Sequence, residues 1–304
     1  MKALLLALPF IALTAAPSQQ TSPVIPGRLS LDVVAIGRDG APVADLEPAE
    51  FEVWVSGYRV PVEEVVFVTP ESMPRTVVLL LDNAAIGPEL AIRVREAARA
   101  FVKRLSPGDR ITIVPVHGPA VAGTGAEPAR LLQAIDEYRV QGLPFRIEDA
   151  GEHVLRLLTT LSRQMIEIPG RKAIVAIGAV WMFDTPLPPP GLRDLHAEWL
   201  TAMRSMAAAN TSLYVIDPVG LRPMQGFSLG GDSGFASETG GYAFVNTNDV
   251  SAAAGRVVDE TGTYYVLRMA DPPVQKTADL RKVEVKVLRK NVTVRTRRGI
   301  PGRR

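Results

Sequence analysis

The chain of 304 residues contains no cysteine. That excludes disulfides, a lipid-anchored cysteine and every form of thiol chemistry, and leaves the core alone to stabilise the fold. Histidine is scarce: His117, His153 and His196 are the only three, far apart in sequence and without the i, i+4 spacing of a helical metal pair. No Gly-x-x-x-x-Gly-Lys-Ser/Thr loop is present to cradle a phosphate. Charge of one sign is not in excess either. Lys and Arg number 34 against 32 Asp and Glu, a formal net charge of +2, too near neutral to point to nucleic acid or a membrane surface as the main partner. After the first sixteen residues no apolar run approaches the roughly 20 residues that a bilayer span requires.

What is present begins with residues 1–16, which have the pattern of an export signal. Lys2 supplies the positive start, Ala3 to Leu13 a short apolar core, and Thr14-Ala15-Ala16 the small residues of a cleavage site. Pro17 is a poor neighbour for cleavage, and a retained anchor is the alternative. The expected location is periplasmic or secreted, with no membrane span once the signal is removed. Residues 17–27, rich in Pro, Ser, Gln and Thr, form a linker.

From Arg28 the apolar positions alternate. Leu29, Leu31 and Val33, then Phe51, Val53 and Val55, with turns at Asp39-Gly40 and Ser56-Gly57, predict a small β unit over 28–70. Residues 74–269 then alternate strands and helices, the pattern of a mainly parallel, doubly wound α/β sheet flanked by helices. Strands are expected near 77–81, 111–114, 173–178, 212–217, 242–245 and 263–269. Helices are expected after Pro88 and near 128–138, 148–165, 193–209 and 249–260. Over 270–304 the alternation returns, with Val283, Val285 and Val287 turning at 289–291 into Val292 and Val294. The expectation is a β hairpin that completes the N-terminal unit. The cluster Arg295, Arg297, Arg298, Arg303 and Arg304 is expected to be a solvated basic tail.

The run Thr76 to Leu81 stops on Asp82, and an acid at the carboxyl end of a buried strand lies where open α/β sheets bind ligands. The following residues, Asn83-Ala84-Ala85-Ile86, offer few further oxygens for a hard dication. Asp82 has a simpler role open to it, accepting backbone N–H groups at the next helix start.

Several segments taken in order carry a family likeness. They are Asp39-Gly40-Ala41-Pro42-Val43 with Glu50-Phe51-Glu52-Val53, Leu213-Tyr214-Val215-Ile216-Asp217-Pro218, Glu238-Thr239-Gly240-Gly241 with Asn246-Thr247-Asn248-Asp249, Tyr264-Tyr265-Val266-Leu267, and Val292-Thr293-Val294-Arg295 with Arg298-Gly299. In these the chain resembles the von Willebrand factor type A-related proteins of the group named for acidobacteria. The resemblance implies a type A, Rossmann-like fold and a place where related domains hold a metal-ion-dependent adhesion site. The first loop of that site, Asp-x-Ser-x-Ser, falls on Asp82, Ala84 and Ile86. Its threonine falls on or near Phe145, and its Ser-Asp-Gly turn on Gly178-Ala179-Val180. Asp82 is thus the vestige of a degenerate site, with no tightly bound metal and no cofactor expected.

The apolar loop Trp181-Met182-Phe183 occupies the corresponding end of the sheet. With Asp82 and Asn83 it forms the candidate contact face for a protein partner, unless those side chains fold inward and cap the cleft. Gly231-Asp232-Ser233-Gly234 resembles the nucleophile turn of trypsin-like proteases, but no histidine stands in a partner motif. His153 is more simply a packed or capping residue, and Glu63-Glu64 and Glu148-Asp149 are surface or helix-start charges. The reading is an exported, non-catalytic protein-binding module, of adhesion or assembly type, acting without a tightly bound metal and with no small-molecule substrate. A structural envelope protein is the alternative, and a serine hydrolase using Ser233 the least favoured.

Overall fold

The structure, a computed structural model, describes residues 28–123, 127–142, 149–179, 195–221, 234–272 and 279–302. The export signal at 1–16 and the linker at 17–27 lie outside the described residues. The N-terminal strands are β1 (Arg28–Ile36), β2 (Phe51–Val55), β3 (Tyr58–Val60) and β4 (Val62–Val68). The chain continues through β5 (Thr76–Leu81), α1 (Ala91–Val102), β6 (Arg110–Pro115), α2 (Pro128–Asp136), α3 (Ala150–Gln164) and β7 (Lys172–Ile177). It then forms α4 (His196–Ala208), β8 (Thr211–Ile216), α5 (Phe235–Glu238), β9 (Tyr242–Phe244) and α6 (Val250–Gly262). The last strands are β10 (Tyr264–Ala270), β11 (Arg281–Val287), β12 (Thr293–Arg295) and β13 (Gly299–Ile300).

Five strands form an all-parallel sheet in the order β6-β5-β7-β8-β9. Alternate side chains of β5 serve the two faces, as the two-residue period requires. Val77, Leu79 and Leu81 pack with α1 and α6, and Val78 and Leu80 with α3 and α4. Burial on both faces is why the strand reads as an unbroken apolar run. The strand order reverses at β5, so the exits of β5 and β7 flank the topological switch point, where such sheets bind ligands. Beyond the edge, Val121 and Ala122 fold back antiparallel onto Ile113 of β6.

The remaining strands form two four-stranded antiparallel sheets, β12-β1-β10-β4 and β13-β11-β2-β3, enclosing a second core around Leu31, Val53, Tyr265, Leu267 and Val283. The β2–β3 turn has Ser56 at φ 51° and Gly57 at φ 84°, the left-handed pair that matches strand twist in a tight hairpin. Two expectations change here. The strand expected at 263–269 does not join the parallel sheet. It is β10, which lies antiparallel between β1 and β4. Its apolar run is compatible with either sheet, and only the pairing with a segment some 200 residues earlier decides. The expected C-terminal hairpin is also split. β11 pairs with β2 and β13, and β12 pairs with β1 in the other sheet.

Two residues of the basic tail, Arg295 and Arg297, are withdrawn from water, whereas Arg298 stays exposed. Arg297 is buried, donating to the Ala207 carbonyl at 3.2 Å and to Asn210 Oδ1. Arg295 pairs with the buried Glu260 and lies 3.7 Å from the Tyr242 ring centroid. Arg298 pairs with Glu238 at 3.0 Å. Arg303 and Arg304 lie outside the described residues. These arginines join a polar seam at the amino ends of the parallel strands. In it Arg171 donates to Tyr214 Oη and the Gly240 carbonyl, both at 3.0 Å, and Asn210 reaches Asp32 of β1 at 2.8 Å.

Burial in this seam pulls the Lys172 amine down to about 8, against the pull of Asp32 and with a small push from Arg297. An unfolded lysine titrates near 10.4, so the unfolded chain holds this proton more tightly. The cost is fully present below about pH 8 and disappears as pH rises toward 10. Urea unfolding should therefore show stability rising over that window by up to about 1.4 kcal/mol per pH unit. Lys172→Met should flatten the rise; an unchanged slope in that variant would refute the assignment.

Candidate functional site

Asp82 follows β5 directly and is fully buried, with Asn83 beside it also buried. The turn Asn83–Ile86 brings two backbone N–H groups back to the carboxylate. Oδ1 accepts from Ala84 N at 3.0 Å and from Ala85 N at 2.8 Å. Oδ2 accepts from Ala179 N at 3.0 Å, across the switch point at the exit of β7. The Asp82 main chain is held as well, its N–H donating to the Ile177 carbonyl at 3.0 Å and its carbonyl accepting from the Tyr138 hydroxyl. The Tyr138 phenol is buried beside this acid, and burial first, then the Asp82 charge, pushes its pKa up.

Asn83 closes the other side of β5. Its amide nitrogen donates to the His117 carbonyl at 2.8 Å and its amide oxygen accepts from the His117 N–H at 2.9 Å. The side chain thereby continues the β5–β6 ladder past the last strand residue. His153, on α3, places Nε2 at 2.9 Å from the Val116 carbonyl. A carbonyl can only accept, so Nε2 carries the proton.

Gly178 is part of the same arrangement. A Cβ there would lie 2.2 Å from Asp82 Cβ, so any side chain at 178 would displace the acid from its three donors. Ala179, where the sequence reads a lost acidic ligand, instead gives its backbone N–H to Asp82.

The donor set does not fit the dication that the type A resemblance implies. Magnesium and calcium require six or more oxygens. Here the Asp82 carboxylate is engaged by three N–H donors, and Ala84, Ile86, Gly178 and Ala179 bring no side-chain oxygen. Among the described residues no group of three or more His, Asp or Glu side chains is placed to hold a metal. Phe145, Trp181, Met182, Phe183 and Ser233 lie outside the described residues.

Two corrections follow for the candidate contact face. Asp82 and Asn83 are interior residues, occupied by backbone groups, and present no surface to a partner. Asp82 also closes a turn and a strand crossing; α1 begins only at Ala91, after the 3-10 turn Pro88–Leu90. Tyr138, Gly178 and the main chain of Ala179 complete the arrangement; Tyr138 is not among the residues that the sequence singles out, and Gly178 and Ala179 are named there only as the place of a lost acidic turn. Gly178 carried the one available signal, a glycine directly after a buried strand.

Three apolar residues are exposed at this end among the described residues, beside polar ones such as Glu89, Asn248 and Asp249. Ile92 in the first turn of α1 is 64% exposed, and Val219 and Leu221 after β8 are 38% and 67% exposed. Arg93 donates to the Thr247 and Asn248 carbonyls at 3.2 and 3.1 Å, and Leu221 N donates to Asn248 Oδ1 at 3.2 Å. Asn248 thus ties the start of α1 to the exit of β8.

No protein-family model matches the chain, and no curated protein matches it. Among solved structures it is similar to an aerotolerance-related membrane protein from Bacteroides fragilis NCTC 9343, with 15% identity and a TM-score of 0.40 over 62% of this chain and 98% of that one. It is similar also to the manganese-loaded TRAP protein of Plasmodium vivax, with 13% identity and a TM-score of 0.40 over 77% and 96% of the two chains. A third is the conserved hypothetical protein BatB from Bacteroides thetaiotaomicron, with 15% identity and a TM-score of 0.37 over 60% and 97%.

Proposed function

We propose that this chain is an exported, non-catalytic protein-binding module, related to the acidobacterial group of von Willebrand factor type A proteins, that meets its partner without a tightly bound metal. The apolar rim formed by Ile92, Val219 and Leu221 carries the reading. Large apolar side chains left exposed at the ligand-binding end of an α/β sheet are the composition of a protein contact. The neighbouring switch point is filled by its own backbone: Asp82 holds together the exits of β5 and β7. Among the described residues no helix is long and apolar enough to cross a membrane.

A photo-crosslinking amino acid placed at 92 or at 221 in the native host should capture a discrete partner. The same probe at Ile166, 47% exposed at the far end of α3, should capture none. Equal capture at all three positions, or at none, would refute the reading. Crosslinks confined to Tyr58 and Leu288, exposed on the β sandwich, would instead favour the structural envelope role.

A further inference from the structure

We propose that the cleft between α1 and α2 docks an acidic peptide segment of the protein partner; this deepens the binding-module reading and rests on it. The cleft measures about 530 Å³ and is lined by Arg95, Arg99, Asp136 and Arg139, with Pro88 and Val140 at its edges. Asp136 neutralises one cation, since its Oδ1 accepts from Arg99 Nε at 2.8 Å and from Nη2. The other two guanidiniums have no carboxylate partner among the described residues.

Both are drawn to one point. Arg95 Nη1 and Arg139 Nη1 donate to the same Tyr138 carbonyl oxygen at 3.2 and 2.8 Å, so at most about 6 Å, the sum of those distances, separates the two nitrogens. Capping of the α2 carboxyl end explains why arginines gather here. It uses only Nη1 of each fork, although a guanidinium has five N–H donors. Two like charges held this close repel each other, and an added carboxylate would relieve the repulsion and occupy the spare donors. The space is much larger than a lone inorganic ion needs, and its apolar edges suit the stem of a side chain. Ile92, Arg95 and Arg99 also follow the i, i+3, i+7 spacing of one helix face. The basic cleft therefore continues the apolar rim along a single stripe of α1.

The probe is a fluorescein-labelled octaglutamate peptide, titrated with the full chain and read by anisotropy. Arg95→Ala/Arg139→Ala should weaken binding by about tenfold, the loss of a charge-assisted hydrogen bond, while unfolding stays cooperative and its midpoint falls only by the loss of two helix-end contacts. Arg59→Ala, an exposed arginine on β3, should change it by less than about twofold. Arg95→Lys/Arg139→Lys, which keeps the charge and loses the fork, should fall between them. Absence of binding by the unaltered chain, equal loss in the Arg59 control, or displacement of the peptide by equimolar inorganic phosphate would overturn the proposal, the last by making this a small-anion site. If crosslinks at 92 and 221 persist while the peptide fails to bind, only the acidic-segment assignment is lost. Peptide binding without those crosslinks would sink the binding-module reading instead, and this assignment with it.

Discussion

Asp82→Ala should destabilise the chain by about 3–5 kcal/mol. The substitution removes the acceptor for three buried backbone donors, those of Ala84, Ala85 and Ala179. Each buried donor left unsatisfied costs about 1–3 kcal/mol. The small cavity left behind is polar, so an entering water can recover part of the loss. In a domain of this size each kcal/mol moves the midpoint by about 2–4 °C, so thermal unfolding should fall by about 6–20 °C. Asp82→Asn is the informative second variant. Its oxygen can keep the bonds from Ala84 and Ala85, but its NH₂ then faces the Ala179 N–H, donor against donor, at a cost of about 1–3 kcal/mol. Neither midpoint should respond to added Mg²⁺ or Ca²⁺, and isothermal titration of the unaltered chain should show no tight site. A Mg²⁺-dependent rise in the midpoint that vanishes in Asp82→Ala would show that the carboxylate is a ligand. Unfolding of Asp82→Ala within about 1 kcal/mol of the parent would show that the three N–H bonds hold little.

The parts of this arrangement visible in sequence are the local ones. The strand ending at Leu81 is legible because burial on both faces demands an unbroken apolar run. The bonds from Ala84 and Ala85 are legible because a short acid two or three residues before a free N–H commonly accepts from it. The third donor, at Ala179, stands 97 residues away, and the Tyr138 hydroxyl 56 residues away; no periodicity reports contacts of that kind. Reading Asp82 and Asn83 as surface residues failed for the same reason. A strand-end acid looks like a ligand until the groups that fill its lone pairs are known. The arginine tail misled in the opposite sense. A cluster of cations is usually solvated, and only Glu260, Asn210 and Ala207, all supplied by helices of the α/β unit or their ends, take Arg295 and Arg297 out of water. The run at 263–269 is legible as a strand, but its place between β1 and β4 is not, because sheet membership depends on the partner and not on the run itself.

Arg295→Ala should cost about 3–5 kcal/mol at neutral pH, and most of that cost should vanish in acid. Glu260 is 4% exposed. Its Oε1 accepts from Arg295, and the Tyr214 hydroxyl is the other hydrogen-bonding group near enough to hold the carboxylate down. Removing one member of a buried pair leaves an uncompensated charge, typically a loss of about 3–5 kcal/mol. Burial already pushes the Glu260 pKa up, with the Arg295 charge and hydrogen bond as the main opposing influences. Deleting the arginine leaves burial opposed chiefly by Arg171, and the folded-state pKa rises further above the unfolded value of about 4.3. A carboxyl raised in this way contributes stability that is fully present below the unfolded pKa and is lost as pH rises through the folded one. The gap between variant and parent should therefore be small near pH 4, open as Glu260 is forced to ionise unpaired, and level off once its cost is complete. Urea unfolding across that range measures the gap directly. Adding Glu260→Gln to Arg295→Ala removes the stranded charge and should recover more than half of the neutral-pH loss, the signature of a coupled pair. A loss that is the same at every pH, and that Glu260→Gln does not relieve, would assign the effect to the stacking of Arg295 on Tyr242. It would leave the seam between the parallel sheet and the β sandwich resting on packing and not on the buried pair.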